Sequence, residues 1–442
     1  MAIAVYGMLF DEALQYLLSL GHETLAIKLG LKNIELLLGA LDNPQASFPS
    51  VQIAGTNGKG STDVMLAEVA RASGIKTGLY TSPHLSSITE RIRIDGREIT
   101  REDFARLATR VRIEAEGLCR AGSLETLPTF FEQVTAVALL AFKEAEVELA
   151  ILETGLGGRL DATTAARARV VAITPLAIDH QEYLGETLAE IAAEKAAIIR
   201  SGVEAVIAPQ EPEALRVIEE RCRETGVRPR FAGHFEIVGA SETGSMLISI
   251  ETEQDSYRDV RLGLRGRHQA VNAAVVARLA EVLRERGFRI SRASIISGME
   301  RARHAGRLEL WEGSPSILFD GAHNAQSARA LRDYLHEFVK APVTLIFGAM
   351  RDKELEEIAA PLSSRARRLI LTEMNNPRAA RLDALRRAVP GDFDSKSILL
   401  SRTPREALRL AIEATPREGL VVVSGSLYLV GEIRELLSTE GA

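Results

Sequence analysis

A short apolar run, a glycine-rich loop with one lysine and a helical stretch follow one another in this chain, and that order constrains the fold most. Residues 51–54 are typical of a buried strand, residues 55–61 read Gly-Thr-Asn-Gly-Lys-Gly-Ser, and residues 64–73 favour a helix. Glycines let backbone N–H groups turn inward around an anion, and a helix N-terminus adds partial positive charge. The segment therefore predicts a cradle for a nucleoside triphosphate, with Lys59 at the terminal phosphates.

The loop departs from the commonest phosphate-loop pattern, which has Gly at the position of Ile53 and Ser or Thr at the position of Gly60. The alternative interpretation is a glycine turn with a solvated lysine. The strand before the loop and the helix after it favour the phosphate site. The departure from the common pattern therefore reduces the number of protein families to which the chain can belong.

Strand-like runs alternate with helical ones along almost the whole chain, which is typical of a parallel sheet covered by helices on both faces. Core strands are predicted at residues 51–54, 77–80, 149–152 and 170–174, and a second series at residues 316–319, 343–347, 369–372 and 420–423. We therefore predict an α/β fold. A phosphate-loop ATP-binding domain with a central, mostly parallel sheet comes first, and a smaller Rossmann-like α/β domain follows.

Between the two series lies a polar, turn-rich segment at about residues 228–266. Its alternation at residues 246–250 predicts a small antiparallel excursion, and a helix over residues 270–286 is predicted to end at Gly287. At 442 residues the chain exceeds what one core usually supports. We place the boundary near residues 301–305 and predict domains at residues 1–302 and 303–442.

The composition argues against several kinds of partner. The net charge is −6, so no basic field indicates nucleic acid or an anionic membrane. Cys119 and Cys222 lack the spacing of a metal site or a disulfide framework. Asp11 and Glu12 interrupt the N-terminal apolar run, so no signal peptide is predicted, and no stretch is long and apolar enough to span a bilayer. We expect a soluble, cytoplasmic protein.

Polar residues stand at or just beyond the C-terminal ends of several predicted strands. They are Ser82, Glu153, Asp179 with His180, and Asp320 with His323. Ligands bind at that edge of an open α/β sheet. The sequence therefore predicts the rim of an active site there.

Glu153 is predicted to bind Mg²⁺, because a carboxylate beside a phosphate cradle can share that ion with phosphate oxygens. A helix-capping or surface glutamate is the alternative. His180 could be a second metal ligand or a phosphate contact, although a lone histidine after a strand is more often structural. Asp179 could instead hold that imidazole in one tautomer.

Lys195 is unusual because it lies within an apolar stripe of a predicted helix. The helix is predicted over residues 188–199, and its stripe consists of Leu188, Ile191, Ile198 and Ile199. A buried ammonium group is costly unless it is paired or neutralised. Either the side chain reaches the edge of the helix, or it is a functional amine that is chemically modified to an anion.

Two residues near the second series could contact a nucleotide. Asp320 could accept hydrogen bonds from a ribose or orient another polar group. Arg307, at the domain junction, could reach a phosphate. The alternatives are an N-cap aspartate and a surface arginine.

Nine motifs stand in order along the chain: AGTNGKGST, TSPHLSSITERI, TFFE, ETGLGGRLDATT, AIDHQEYLGETLAEIAAEKAAII, HQAVNAA, AGRLEL, DGAHN and GAMRDK. In this order they resemble the folylpolyglutamate synthase/dihydrofolate synthase family, within the Mur ligase superfamily. The resemblance runs from about residue 20 to residue 430. The ordered set is far more specific than any one motif.

The resemblance implies an ATP-dependent amide ligase with a Mur-ligase-like ATPase domain. In such enzymes the γ-phosphate of ATP passes to a substrate carboxylate, and the amino group of L-glutamate attacks the acyl phosphate and expels phosphate. ATP and Mg²⁺ are the implied cofactors, and a monovalent cation is left open. Dihydropteroate, tetrahydrofolate and L-glutamate are the implied substrates. We expect a monomer with no nucleic-acid or membrane partner.

The resemblance also implies roles for individual residues. It places Mg²⁺ on Ser82, Glu153 and His180, and it implies that Lys195 carries a carbamate. The implied catalytic residues are Lys59, Lys195 and His323. The implied ATP-binding residues are Thr56, Asn57, Gly58, Lys59, Gly60, Ser61, Asn272, Arg307 and Asp320. The implied dihydropteroate pocket consists of Thr129, Phe130, Phe131, Glu132, Leu160, Asp161 and Ala162, and it is similar to that of members that carry both activities.

The chain departs from the family's motifs at three alanines. Ala305 stands for the Pro of PGR, Ala325 for the Pro of DGAHNP, and Ala197 for the Gly of EKAGI. Each departure keeps the polar group of its motif. A site divided between two domains implies closure around ATP, with a hinge near residues 301–305.

Two other functions are weighed against the folate ligase. A Mur-type cell-wall amino-acid ligase shares the loop, but the loop begins at residue 55, which leaves little room for a domain that holds a nucleotide-linked sugar. A phosphate-loop motor or switch is disfavoured by the missing basic field and by the departures at Ile53 and Gly60.

Overall fold

The computed structural model describes residues 7–21 and 30–440, and its strands form three sheets. The eight-stranded sheet consists of β1 (Ser50–Ala54), β2 (Thr77–Tyr80), β3 (Ile92–Ile94), β4 (Arg97–Glu98), β5 (Leu149–Glu153), β6 (Val170–Ile173), β7 (Glu204–Ile207) and β8 (Pro229–Phe231). The three-stranded sheet consists of β9 (His234–Ala240), β10 (Ser245–Glu251) and β11 (Ser256–Arg265). The six-stranded sheet consists of β12 (Glu309–Trp311), β13 (Ser316–Phe319), β14 (Val343–Phe347), β15 (Arg368–Thr372), β16 (Ile398–Ser401) and β17 (Leu420–Ser424).

Helices pack on both faces of the two larger sheets. Those before the second large sheet are α1 (Phe10–Ser19), α2 (Lys32–Ala40), α3 (Lys59–Ala72), α4 (Arg101–Arg120), α5 (Phe130–Glu144), α6 (Gln181–Leu184), α7 (Leu188–Ala196), α8 (Pro212–Thr225), α9 (His268–Glu285) and α10 (Arg292–Arg301). Those that follow are α11 (Ala325–Phe338), α12 (Leu355–Ser363), α13 (Leu382–Ala388), α14 (Pro404–Ala414) and α15 (Leu427–Glu440). We call the six-stranded sheet with α11–α15 the C-terminal unit.

The first sheet places β1 at its centre. Its strand order is β4-β3-β2-β5-β1-β6-β7-β8, with β1 parallel to both β5 and β6, and only the pairs β2–β3 and β3–β4 are antiparallel. Every residue of β1 is buried, because α3 and α9 cover one face and α7 with α8 covers part of the other. A strand covered on both faces reads as one continuous apolar run, which is why the sequence revealed it.

The C-terminal unit has the strand order β12-β13-β17-β14-β15-β16, and all neighbours are parallel except the edge pair β12 and β13. Together with the first sheet, this confirms the predicted α/β fold with two mostly parallel sheets. The predicted antiparallel excursion is also confirmed, as β9–β11 form a meander whose Met246, Ile248 and Ile250 are buried in the core with α9.

Two helices differ from their predictions at one end. α3 begins at Lys59, inside the loop, because Gly58 takes a left-handed φ of 87° at the N-cap. The helix predicted over residues 188–199 ends at Ala196, where the chain tightens so that the Ile199 N–H donates to the Ala196 carbonyl at 2.8 Å. This turn buries Ile198 and Ile199 against β6 and β7.

The predicted domain boundary between residues 302 and 303 stays a prediction. α10 ends at Arg301 and β12 begins at Glu309, so a short connection leads from one large sheet to the other. No helix in residues 7–21 and 30–440 is long and apolar enough to cross a membrane. Cys119 and Cys222 are both free thiols.

Candidate active site

The phosphate loop connects the central strand β1 to the N-terminus of α3. Gly55 and Gly58 have positive φ angles of 156° and 87°. Neither position has room for a side chain, since a Cβ on Gly55 would overlap the Thr174 hydroxyl and one on Gly58 would overlap the Asn272 amide oxygen. Glycine is therefore required at both positions, and the loop fits closely between the end of β6 and α9.

Two lysine ammonium groups meet at the carbonyl oxygen of Gly55. Lys59 Nζ and Lys195 Nζ each donate to this oxygen at 3.0 Å. Lys195 is only 5% exposed, so the alternative in which it reaches the edge of the helix is wrong. Burial lowers the pKa of Lys195 to about 7, and the Lys59 charge adds to the shift. A substantial fraction of this amine is therefore neutral near physiological pH.

β5 delivers Glu153 to the same edge of the sheet. Glu153 lies in register with Ile53 of β1, and its Oε2 accepts a hydrogen bond from the Ser82 backbone N–H at 3.1 Å. Burial raises the pKa of Glu153, and the positive charge of Lys59 opposes that shift. Glu153 and Ser82 thus form one contact beside the phosphate loop.

His180 lies beyond β6 in a left-handed conformation, with φ 53°. Burial lowers the pKa of its imidazole to about 3, so the ring is neutral at physiological pH and has a lone pair to offer a ligand. Asp179 does not hold this ring. Its Oδ1 instead accepts a hydrogen bond from the His180 backbone N–H at 2.9 Å, so the proposed role of Asp179 as a partner of the His180 imidazole is wrong.

Asp179 joins the first sheet to the C-terminal unit. It accepts hydrogen bonds from Lys353 Nζ at 2.5 Å and Asn324 Nδ2 at 3.1 Å, and the His323 Nε2 atom lies 3.7 Å away. Burial acts to raise the pKa of Asp179, but the neighbouring His180, His323 and Lys353 groups outweigh it and hold that pKa well below its ordinary range. The carboxylate is therefore ionised, with a cation from the C-terminal unit bound to it.

The phosphate loop itself touches the C-terminal unit through Asn57. Asn57 Nδ2 donates to Gln326 Oε1 at 2.5 Å, and Asn324 Nδ2 donates to Asn57 Oδ1 at 3.1 Å. Sequence reasoning assigned no role to Asn324, Gln326 or Lys353. Asn324 and Lys353 stand in the motifs DGAHN and GAMRDK, which were the available signals, whereas nothing in the sequence pointed to Gln326.

Asp320 and Arg307 fix the chain between the two large sheets. The Asp320 carboxylate accepts hydrogen bonds from the backbone N–H groups of Leu308 at 2.9 Å and Ala322 at 3.0 Å. Arg307 Nη1 donates to a carbonyl oxygen of the DGAHN segment at 3.2 Å. The N-cap alternative for Asp320 is wrong, because Asn324 caps α11. Arg307 is half-buried and lines the cavity, unlike a free surface arginine.

The remaining nucleotide residues brace the loop from behind. On α9, Asn272 Nδ2 donates to Gln269 Oε1 at 2.9 Å, and Gln269 Nε2 donates to Ser61 Oγ at 3.2 Å. Thr56 Oγ1 donates to the Ala177 carbonyl at 3.0 Å. These bonds brace one side of the loop, and the backbone N–H groups of Thr56 and Asn57 donate to the Pro175 carbonyl at 3.2 and 3.1 Å.

The two stretches predicted to form a dihydropteroate pocket lie close to the loop. Thr129 and Glu132 form the capping box of α5, in which the Glu132 carboxylate accepts from the Thr129 N–H at 2.7 Å. The Asp161 carboxylate accepts from the N–H groups of Gly155 at 2.8 Å and Leu156 at 3.0 Å. Glu132 and Asp161 therefore hold local backbone in place.

The adjacent aromatic residues Phe130 and Phe131 have different surroundings. Phe131 lines the cavity, with its ring against Gly155. Phe130 is 4% exposed and packs in the core, with the Arg91 guanidinium 5.5 Å from its ring centre. The structure therefore places Phe130 outside the cavity.

One cavity of about 490 Å³ unites these groups. Apart from Phe130, every residue predicted from the sequence to bind ATP, metal or substrate lies on its wall, including Leu160 and Ala162. Lys353, Tyr183 and Arg378 also line it, although no role was predicted for them. A concave site of this size, with a few convergent polar groups, suits a small-molecule ligand.

Comparisons with known proteins identify the family. The Mur ligase middle domain matches residues 53–280, and the Mur ligase glutamate ligase domain matches residues 306–427. A dihydrofolate synthase/folylpolyglutamate synthase of Bacillus subtilis is 32% identical over 423 residues, which cover 94% of this chain and 97% of that protein. The chain belongs to the dihydrofolate synthase/folylpolyglutamate synthase family of Mur ligases.

Solved structures of this family share the fold over the full chain. Escherichia coli FolC in complex with DHPP and ADP has a TM-score of 0.87 at 28% identity, covering 100% of both chains. The bifunctional Yersinia pestis enzyme with AMPPNP and Mn has a TM-score of 0.83 at 28% identity, covering 99% of this chain and 100% of that chain. The resemblance drawn from the motifs is confirmed, and it favours the folate ligase over the cell-wall ligase and the motor.

The donor set around Glu153 fits a Mg²⁺ ion that is shared with a nucleotide. Within the described residues, no group of three or more His, Cys, Asp or Glu side chains could hold a metal ion. Mg²⁺ is usually bound by one or two carboxylates together with phosphate and water oxygens. In this folate ligase, Glu153, the Ser82 hydroxyl and the neutral His180 ring would supply the protein ligands.

A buried carboxyl group that sequence analysis missed lies behind the phosphate loop. Asp63, one turn after Lys59 on α3, is 0% exposed, and neither of its oxygens has a hydrogen-bond partner in the part of the chain that the structure describes. Burial raises the pKa of Asp63 well above its ordinary value, and the Glu153 charge adds to that shift. The signal in the sequence was an aspartate directly before the apolar residues 64–66.

Replacing Asp63 with Asn is expected to stabilise the nucleotide-free protein at pH 8. The pKa of Asp63 is raised in the folded state. The contribution of the protonated carboxyl to folding stability is therefore complete below the unfolded-state pKa of about 3.9, and it is lost as the pH rises through the folded-state pKa. Calorimetry should therefore show a higher Tm for Asp63→Asn at pH 8 and almost no difference near pH 4.

The exposed Asp392 provides the control for this substitution. Asp392→Asn should leave the Tm unchanged at both pH values, since a solvated carboxylate has similar surroundings in the folded and unfolded chain. A lower Tm for Asp63→Asn at pH 8 would show that the carboxylate has a stabilising partner after all.

Proposed function

We propose that this protein is an ATP-dependent ligase that joins L-glutamate to dihydropteroate and to the γ-carboxylate of tetrahydrofolates through an acyl phosphate. The observation that carries the proposal is the single cavity in which the phosphate loop and Glu153 face Arg307, His323 and Lys353 of the opposite side. Relatives solved with DHPP and ADP, and with AMPPNP and Mn, support this assignment.

The first half-reaction would take place at the phosphate loop. The backbone N–H groups at the N-terminus of α3 would bind the phosphates of ATP, and Lys59 would exchange the Gly55 carbonyl for a phosphate oxygen. Bound Mg²⁺ supplies charge neutralisation while two anions, the γ-phosphate and the acceptor carboxylate, approach each other. Ser82, Glu153 and His180 would hold that ion beside the loop.

The second half-reaction requires a neutral amine from glutamate. His323 Nδ1 lies 2.8 Å from the Gly321 carbonyl oxygen, which places the ring proton on Nδ1 and leaves Nε2 as an acceptor. Burial lowers the pKa of His323 to about 4, so this nitrogen is free of a second proton. We assign His323 Nε2 to accept a hydrogen bond or a proton from the attacking amine.

Lys195 is proposed to act as a carbamate. The amine is buried, its pKa is lowered to about 7, and a neutral amine is the form that reacts with CO₂. The resulting anion would be close to the Lys59 charge that already acts on this amine, and it would help to organise the cation site. A monovalent cation is a further proposed component, to be tested by exchanging K⁺ for Na⁺ in the assay.

The substrate side of the cavity is proposed to bind the pterin. Phe131 offers an aromatic face there, and Thr129, Glu132, Leu160, Asp161 and Ala162 would shape the pocket around it. We further propose that the protein works as a cytoplasmic monomer without nucleic-acid or membrane partners, and that residues 1–302 and 303–442 close on ATP as two domains.

The proposal is tested by a product assay with dihydropteroate and tetrahydrofolate as separate acceptors, each with ATP, Mg²⁺ and L-glutamate. Mass spectrometry should find one added glutamate on each acceptor, and phosphate release should require both acceptor and glutamate. Product from one acceptor alone would reduce the proposal to that single activity. Phosphate release that ignores both substrates, with no glutamylated product, would contradict it.

A further inference from the structure

The segment that carries Ser82 is tied to the candidate metal site at one end. We call residues 81–87 the Ser82 loop. Ser82 N–H donates to Glu153 Oε2 at 3.1 Å, and Thr81 N–H donates to the Arg91 carbonyl at 3.0 Å. The start of the Ser82 loop is therefore held against both Glu153 of β5 and Arg91, the residue directly before β3.

The other end of the Ser82 loop is held by one carboxylate. The backbone N–H groups of Leu85, Ser86 and Ser87 all donate to Glu90, at 2.8, 2.9 and 2.8 Å. These three bonds tie residues 85–87 to Glu90, so the backbone of this segment moves as one piece with Leu85. Leu85 and Ser82 are three residues apart, which spans about 10 Å of backbone at most. A displacement of the Leu85 backbone therefore displaces Ser82.

Leu85 itself leaves the first sheet and packs into the C-terminal unit. Its side chain lies against the buried cluster that includes Leu429, Val430 and Ile433. A Cβ on Gly431 of α15 would overlap the Leu85 carbonyl oxygen, so the backbone of the loop and that of the helix are in direct contact. Only a glycine allows this approach.

Leu85 also touches the connection between the two large sheets. Its two methyl groups lie 3.3 and 3.4 Å from the position that a Cβ would take on Gly306, directly before Arg307. The Leu85 side chain therefore contacts α15 and the Arg307 segment. The loop that carries Leu85 is bonded to Glu153 through Ser82. No motif or resemblance assigned a role to Leu85.

We infer that Leu85 is a positioning residue that makes the geometry of the Ser82–Glu153 metal site depend on docking of the C-terminal unit. The inference rests on the proposed function for the role of Ser82 and Glu153. When Leu85 is seated on α15, the Ser82 loop keeps the Ser82 backbone N–H bonded to Glu153. When it is not, Ser82 is released and the metal–nucleotide site is incomplete.

The test compares Leu85→Ala with Ile433→Ala, a truncation in the same cluster that changes no residue of the Ser82 loop. Both variants should lower the Tm, because both remove buried methyl groups. Binding of Mn²⁺ in the presence of AMPPNP, measured by calorimetric titration, should weaken about tenfold or more in Leu85→Ala, as for other residues that orient metal ligands. It should stay within about twofold of the parent in Ile433→Ala.

Gly431→Ala gives a second, independent variant. Its added methyl group would displace the Leu85 carbonyl from α15, although every residue of the loop stays the same. It should weaken Mn²⁺–AMPPNP binding as Leu85→Ala does, and it keeps the test decisive where Leu85→Ala does not fold. Unchanged Mn²⁺ binding in a folded Leu85→Ala or Gly431→Ala protein would overturn the inference, and so would equal weakening in Ile433→Ala.

The same measurements separate this inference from the proposed function. A parent protein that binds Mn²⁺ with AMPPNP yet makes no glutamylated product would contradict the folate-ligase proposal, while the ratio between Leu85→Ala and Ile433→Ala would still judge the inference. A parent protein that binds no Mn²⁺ with the nucleotide would overturn the metal assignment and the inference together.

Discussion

Glu153→Gln is expected to abolish glutamate addition to either acceptor, with a loss of turnover of about 10³-fold or more. The amide keeps the size of the side chain at the end of β5 but removes the negative charge that a metal ion needs. Glu153 sits beside Lys59 and accepts the Ser82 N–H, so the substitution removes a carboxylate that is in contact with both the Ser82 loop and the phosphate loop. Phosphate release with saturating acceptor and glutamate, together with mass analysis of the product, measures the loss.

Glu148→Gln is the matched control for this substitution. Glu148 stands directly before β5, is exposed, and accepts a hydrogen bond from the Lys76 N–H at 2.8 Å at the opposite end of the strand. Its replacement should change turnover by no more than about twofold, since surface substitutions have small effects. Near-normal rates in Glu153→Gln would remove the metal assignment.

Lys195→Ala and Lys195→Arg are both expected to lower turnover by about 10²-fold or more. Alanine removes the side chain, whereas arginine keeps a positive charge but cannot form a carbamate. Lys195 is buried and donates to the Gly55 carbonyl at 3.0 Å. An amine from the protein surface therefore cannot take its place in either variant. The exposed Lys76 provides the control, and Lys76→Ala should retain full activity.

The proposed carbamate also predicts how the parent protein responds to pH and CO₂. Because the pKa of Lys195 is about 7, its amine is increasingly neutral as the pH rises from 6 to 8. CO₂ uptake should therefore increase over that range. Depleting CO₂ should lower the activity of the parent protein and adding bicarbonate should restore it, while both Lys195 variants stay unresponsive. Native mass spectrometry should detect one CO₂ on the parent protein before acid exposure. A fully active Lys195→Arg protein would contradict the carbamate.

The strands were predictable because each is an apolar run with turn residues at both ends. The predictions for residues 77–80, 316–319 and 343–347 match β2, β13 and β14 residue for residue. The strand–loop–helix order around Lys59 likewise placed the phosphate loop. These features depend on local composition and on burial of both sheet faces, which a single sequence displays directly.

Contacts that depend on how distant segments are placed were not predictable. Lys353 and Asp179 are 174 positions apart, and no periodicity shows that they meet. Phe130 and Phe131 are adjacent on α5, where successive side chains point in different directions, and only the tertiary fold decides that Phe131 faces the cavity. Asp63 was visible as a charge before an apolar run, but its lack of a partner was not.

An oxygen label tests whether the γ-phosphate of ATP passes to the acceptor carboxylate before glutamate attacks. The acceptor would be prepared with ¹⁸O in the reacting carboxylate and incubated with the parent protein, ATP, Mg²⁺ and L-glutamate. We expect one ¹⁸O atom in inorganic phosphate for each glutamate added. Glutamylated product accompanied by unlabelled phosphate would contradict it.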